Sequence, residues 1–296
     1  MPPLTNEVLA MIVTAMATLS GLLAAGWYLR GTTLRPASIW MIAAVVAVAW
    51  VGVVQASEPP EVGGKHPLAY LAAVMTLCPT IAALGAKRPQ HTAWQFIVVT
   101  LLAILAMPAA EAWLFLGGRL PELHVARQGM MIALVVMGFA NYLPTPFAPA
   151  AALWSLATLV WLAPFVPWLG DLGLARSTVT GMTAAAGGVI AGWMAIALQS
   201  KPTNSLDAAW LDFRNMYGVL WSLRVAERFN TTAIANQWPI ELQWRGIVFK
   251  SEREMTSEQR RDSQQSLESL LRRFVNREWL TRRQQTHDEG PATTLQ

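Results

Sequence analysis

Seven apolar runs, 15 to 25 residues long, follow one another through the first 199 positions: Val8–Tyr28, Ser38–Gln55, Pro67–Ala86, Ala93–Gly117, Gly129–Leu143, Phe147–Leu169 and Ser177–Leu198. A helix needs about 20 such residues to cross the hydrocarbon of a bilayer, and in that medium each backbone polar group must be satisfied inside the segment. The pattern predicts an all-α integral membrane domain over residues 1–199 with about seven transmembrane helices, and the lipid bilayer as its first partner. The connectors carry the punctuation of loops, as in Ser57-Glu58-Pro59-Pro60 and Lys87-Arg88-Pro89. The first run has no basic residue before it and is long enough to span, so it reads as a retained helix, not a cleaved leader.

Charge is segregated in the same way. Eight Lys/Arg and six Asp/Glu precede Gln199, while fourteen and twelve follow it. A nearly uncharged region joined to a charged one implies two environments. No basic cluster interleaves with aromatic residues, so no nucleic-acid partner is expected. With Cys78 the single cysteine, no disulfide can form within the chain.

Sidedness follows from basic residues near the span ends. Arg30 and Arg35 flank the first connector and Lys87 and Arg88 the third, and neither contains an acid. Odd connectors inside place the N-terminus outside and the C-terminus in the cytoplasm, in a cell inner (plasma) membrane of bacterial style. Small residues recur every fourth position in the first span (Ala17, Gly21, Ala25) and the last (Ala184, Gly188, Gly192), a stripe that suits close packing within the molecule. The tryptophans, among them Trp27, Trp40, Trp50, Trp94, Trp113, Trp168 and Trp193, fall mostly near span ends, as in an aromatic belt.

Residues 200–285 read as a small cytoplasmic α+β domain of helix–hairpin–helix form. Asn204 caps a helix whose stripe is Leu206, Trp210, Phe213, Tyr217 and Leu220, reaching about Phe229. Ile240, Leu242 and Trp244 alternate with polar residues, and Ile247 and Phe249 continue in the opposite phase. A turn at Arg245-Gly246 would pair Trp244 with Ile247, Leu242 with Phe249 and Glu241 with Lys250. Thr256, capping with Gln259, starts a last helix expected to run unbroken to about Arg283. Residues 286–296 read as a disordered tail.

Candidate sites are few. Glu111, the one acid well inside a span, is a transport or ligand candidate, as is Asn141 at the inner end of the fifth. Met75 and Cys78 bracket the turn that Pro79 breaks, and two soft sulfurs beside a freed carbonyl are a candidate Cu(I) or redox site. His66 and His124 are a second candidate metal pair on the outer face. Arg272, Arg273, Arg277 and Arg283 suit anionic headgroups at the membrane surface. The last span has no lysine for a retinal Schiff base, and His66, His91, His124 and His287 do not fall on facing span interiors as a bis-histidine haem requires, so no cofactor is expected. The favoured reading is a non-enzymatic scaffold or assembly partner that docks a protein through its C-terminal domain. The alternatives are a small-solute or ion transporter using Glu111, and a metal- or redox-handling protein using Met75 and Cys78.

The fifth run supplies only about 15 residues, roughly 22 Å against a hydrocarbon core of about 30 Å. With the sixth it forms either a short transmembrane pair, the favoured form, or a re-entrant one.

Overall fold

The computed structural model describes residues 6–57, 67–174, 178–199, 205–250 and 255–288. Its helices are α1 (Asn6–Tyr28), α2 (Arg35–Ser57), α3 (Pro67–Met75), α4 (Cys78–Leu84), α5 (His91–Phe115), α6 (Val125–Tyr142), α7 (Ala148–Leu162), α8 (Pro167–Asp171) and α9 (Thr178–Ala197), then α10 (Ser205–Ala235), α11 (Ser257–Leu271) and α12 (Arg277–Asp288). A two-stranded antiparallel hairpin, β1 (Ile240–Gln243) and β2 (Gly246–Phe249), lies between α10 and α11.

Six segments among the described residues are long and apolar enough to cross a membrane: α1, α2, α3 with α4, α5, α7 with its short 3-10 extension, and α9. The seventh expected span, α6, is less apolar. It starts at Val125, four residues ahead of the expected Gly129, and its 18 residues reach about 27 Å. Polar residues take both ends, Arg127 and Gln128 at one and Asn141 and Tyr142 at the other, so only its middle is hydrocarbon-like.

The third span is two helices. Pro79 has no N–H for the Met75 carbonyl, and Thr76 and Leu77 instead close shorter turns onto Ala73 (3.2 Å) and Val74 (3.1 Å). This break changes the neighbours along the span. α3 packs between α2 and α7, whereas α4 packs on α2 and α6. The bundle therefore closes through α1, α2, α3, α7 and α9 in one half, and through α1, α2, α4, α6, α7 and α9 in the other. α5 lies outside, against α3 and α4. The bundle core includes Tyr70, Phe165, Leu162 and Met131, with the Tyr70 hydroxyl donating to the Leu105 carbonyl at 2.7 Å.

Small residues set the helix spacing, as the stripe predicts. A Cβ on Gly21 would collide with Val189 of α9, and one on Gly188 would meet the Ala150 carbonyl of α7 at 3.2 Å. Trp193 donates to the Gly21 carbonyl at 3.2 Å. Outside, the bundle shows large apolar residues such as Met16, Phe96, Leu114 and Phe115. An exterior of that kind is compatible with lipid.

The C-terminal domain has the expected element types with three corrections. The α10 helix runs past Phe229 to Ala235 and is broken at Gly218, whose φ is 71°. The hairpin register is Ile240 with Phe249, Leu242 with Ile247 and Gln243 with Gly246, two residues from the expected pairing, with the turn at Trp244-Arg245. α10 decides it. Asp207 accepts from the Ile247 N–H (2.8 Å), Arg214 donates to the Trp244 carbonyl (2.7 Å), and the Asn230 carboxamide binds both backbone groups of Leu242 (2.7 and 3.0 Å). Glu241 still meets Lys250, at 3.2 Å, but diagonally.

Finally, the last helix is interrupted. α11 begins with the expected Thr256–Gln259 capping box but stops at Leu271, and a turn over 272–274 leads to an isolated bridge at Val275 before α12. α12 continues to Asp288, so the start of the expected tail is helical; residues 289–296 lie outside the described residues, as does Asn204.

Candidate functional site

The C-terminal domain is docked on the bundle. Its aromatic core of Trp210, Phe213, Tyr217, Trp221, Phe274 and Trp279 is buried together with Leu34 and Ala86 of the first and third connectors. Phe213 stacks on Tyr217 at 4.6 Å between centroids, and Phe274 meets both edge-on. The interruption after α11 is part of the same seam. Val275 bridges Thr32, the Asn276 N–H donates to the Gly31 carbonyl (2.7 Å), and the Arg88 N–H donates to the Arg273 carbonyl (2.7 Å). The backbone groups left open by two connectors are thus satisfied by the domain, as burial demands.

Tyr217 ties the seam together. Its hydroxyl donates to the Phe274 carbonyl (2.8 Å) and accepts from the Thr33 N–H (3.2 Å), while the Thr33 hydroxyl donates to the Ala86 carbonyl (2.6 Å). Burial pushes the Tyr217 hydroxyl well above its ordinary value, so it stays protonated and able to donate.

The C-terminal end of α6 reaches the same seam. Asn141 inserts into the break at Gly218: its amide nitrogen donates to the Tyr217 carbonyl (3.2 Å) and its oxygen accepts from the Leu220 N–H (3.0 Å). Tyr142 donates to the Met216 carbonyl (3.0 Å). A Cβ on Gly218 would run into Asn141.

Beneath this cap, in the six-membered half of the bundle, is a chamber of about 300 Å³. Its walls come from α1, α2, α4, α6, α7 and α9 and are almost wholly apolar, with Ala25, Met41, Pro79, Ala151, Gly192 and Ile196 among them. Asn141, Tyr142, Asn215 and Met216 close the end under α10. The chamber sits where α4 and α6 replace α3 in the ring, a direct result of the break at Pro79. Such a cavity selects an apolar group with a polar end.

The residues expected from sequence are not brought together. Glu111 is exposed on the outlying α5 and faces away from the chamber's walls. Asn141 is a joint between bundle and cap. Cys78 is fully buried against Ile81, Ala82 and Val98, and Met75 is half-buried. Among the described residues no three His, Cys, Asp or Glu side chains gather as a metal site. His124 is exposed and caps α6, its Nδ1 accepting from the Ala126 N–H at 3.2 Å; His66 lies outside the described residues. Of the surface arginines, Arg272 pairs with Glu268 (3.8 Å), Arg273 lines a separate basic cleft, Arg277 is exposed, and the Arg283 side chain lies outside the described residues.

What sequence reasoning missed is the pairing of Asn141 with Gly218 and the chamber itself. Gly218 in an amphipathic helix was the available signal for the first. No protein-family model, curated protein or solved structure matches the chain. The fold and site define a mostly helical protein with six span-length apolar segments among the described residues and an α+β cap.

Proposed function

We propose that this chain is a membrane-embedded, non-enzymatic binding protein that holds the apolar chain of a lipid-like amphiphile in the chamber under its cap. The observation that carries the reading is the chamber's chemistry: nearly all apolar wall, with scattered hydroxyls such as Thr80, Ser155 and Thr158 along it and the larger polar side chains Asn141, Tyr142 and Asn215 at the capped end. Ligand pockets of this kind start near 300 Å³. The reading places the protein in a plasma membrane, N-terminus outside and cap in the cytoplasm. Support comes from the acid-free basic flanks Arg30, Arg35, Lys87 and Arg88 on the two connectors that meet the cap. The C-terminal end of α6 meets the same cap, which supports a fully crossing α6–α7 pair over a re-entrant one.

Gly192 offers the test. A Cβ there lies 3.8 Å from its nearest neighbour, Ala150, an ordinary contact, and the position lines the chamber, so a larger side chain is expected to build into it. Protein purified in mild detergent and examined by native mass spectrometry is expected to retain an extractable amphiphile near one per chain. Gly192→Phe should lose it, while Gly129→Phe, at a glycine facing open space, should not. Equal retention in all three proteins sinks the proposal.

A scaffold role draws support from a different surface than the amphipathic stripe, which the seam consumes. Leu223, Ile234, Val248 and Phe249 are exposed on the cap. That reading predicts a partner that co-purifies with the intact protein and is lost on Phe249→Lys.

A further inference from the structure

Three separate stretches of chain bring cations to one cleft on the cap side of the bundle. Lys87 comes from the third connector, Arg224 and Arg228 from consecutive turns of α10, and Arg273 from the turn after α11. The cleft encloses about 240 Å³, floored by Trp221, Val225 and Phe274. The placement is not loose. The Arg88 N–H bond to the Arg273 carbonyl fixes Lys87 beside the α11–α12 turn, and Trp221 donates to the Ala83 carbonyl at 3.2 Å, which fixes α10 over the end of α4.

None of the four cations makes an ion pair among the described residues. Glu227, the single acid in the lining, makes none either. Four cations converging beside a single, unpaired acid raise the energy of the folded protein, and the effect falls on Lys87. Partial burial, then repulsion from Arg228, Arg273 and Arg224, holds its ammonium below the ordinary lysine value. A folded arrangement of this kind is relieved by an anion with several acceptor oxygens. Guanidinium groups match phosphate oxygens in pairs, and lysine adds a mobile point charge.

We propose that Lys87, Arg224, Arg228 and Arg273 form a binding site for a phosphate ester group. A carboxylate would satisfy fewer of the converging donors than a phosphate does. The site stands at the end of α4, level with the third connector, where either a lipid headgroup or a soluble phosphate compound could present this group. It shares no lining residue with the chamber, so it holds or fails independently of the amphiphile reading.

The test uses the full chain in a non-ionic detergent with two probes, inorganic phosphate followed by calorimetry and phosphatidic acid followed by native mass spectrometry. The cleft variant is Arg224→Gln with Arg228→Gln. Both arginines are exposed, and among the described residues neither side chain makes a hydrogen bond, so folding should survive. Lys87→Gln is a second, independent cleft variant. Arg260→Gln with Arg261→Gln removes the same charge from the exposed side of α11. Binding of at least one probe is expected, weakened about tenfold or more in each cleft variant and unchanged in the α11 control. Binding of phosphatidic acid alone assigns a headgroup, and binding of inorganic phosphate assigns a soluble source. Absence of binding in both arms, or equal weakening by the α11 control, overturns the site.

Discussion

The bundle and its cap are held together by opposite means. In the bundle many large apolar side chains point outward, Met16, Phe96, Leu114 and Phe115 among them, and α1, α7 and α9 approach through small residues: Gly21 against Val189, Gly188 against Ala150. In the cap the large side chains point inward, and Trp210, Phe213, Tyr217, Phe274 and Trp279 fill a core that water drives together. In the proposed membrane setting, lipid gives apolar side chains no reason to leave it, so close backbone packing would replace hydrophobic burial as the adhesive. The seam belongs to neither regime. It is made of backbone groups from Gly31, Thr33, Ala86 and Arg88 that must be paired wherever they are buried, and the cap pairs them.

This contrast can be broken at several points. The largest effect should come from Gly218→Val, which meets a backbone φ of 71° and a collision with Asn141 together. A cost of about 3 kcal/mol or more follows, read as a lower midpoint of thermal unfolding in detergent; an unchanged midpoint would show that Asn141 does not hold the joint.

Within the bundle, Gly188→Leu should cost about 2 kcal/mol by forcing α9 from α7, measured the same way. Gly129→Leu, with nothing within 4 Å, is the neutral comparison. Should both behave alike, glycine spacing is not what holds the helices.

Tyr217→Phe keeps the cap's packing but leaves the Phe274 carbonyl with one donor fewer. It should cost about 1 to 2 kcal/mol, detected as easier proteolysis of the cap while the bundle resists. Loss of both parts at once would show that they unfold as a unit. Glu241→Gln removes only the exposed contact with Lys250 and should shift stability by less than about 1 kcal/mol in denaturant titration.

Much of this was readable in advance, and the failures have specific causes. The capping box at Thr256 and Gln259 and the Pro79 break depend on neighbours within four residues, and both appear where expected. The hairpin was expected in the right place but two residues out of register. Alternation fixes which residues share a face, yet Asp207, Arg214 and Asn230 decide which ones pair, and they lie 12 to 40 residues away. Leu271 to Arg277 is as helix-compatible as what precedes it. Its turn and bridge exist because Gly31 and Thr32 offer backbone partners more than 240 positions earlier.

The sites divide in the same way. Each residue singled out from the sequence was chosen for its own oddity: a lone acid, a lone thiol, a histidine at a span end. The chamber and the basic cleft are made of ordinary residues that become a site only by convergence, six helices around one void and three chain segments around one group of charges. By itself, the sequence determined the apolar helical character of the bundle, the helix and hairpin types of the cap, and the break in the third span, because these follow from periodicity, length and local stereochemistry. Only the tertiary structure decided that α3 and α4 take different neighbours, that Asn141 enters the gap at Gly218, and that Lys87 faces three arginines. Each of those is a meeting of distant segments, settled by which buried backbone groups and which volumes must be satisfied at once.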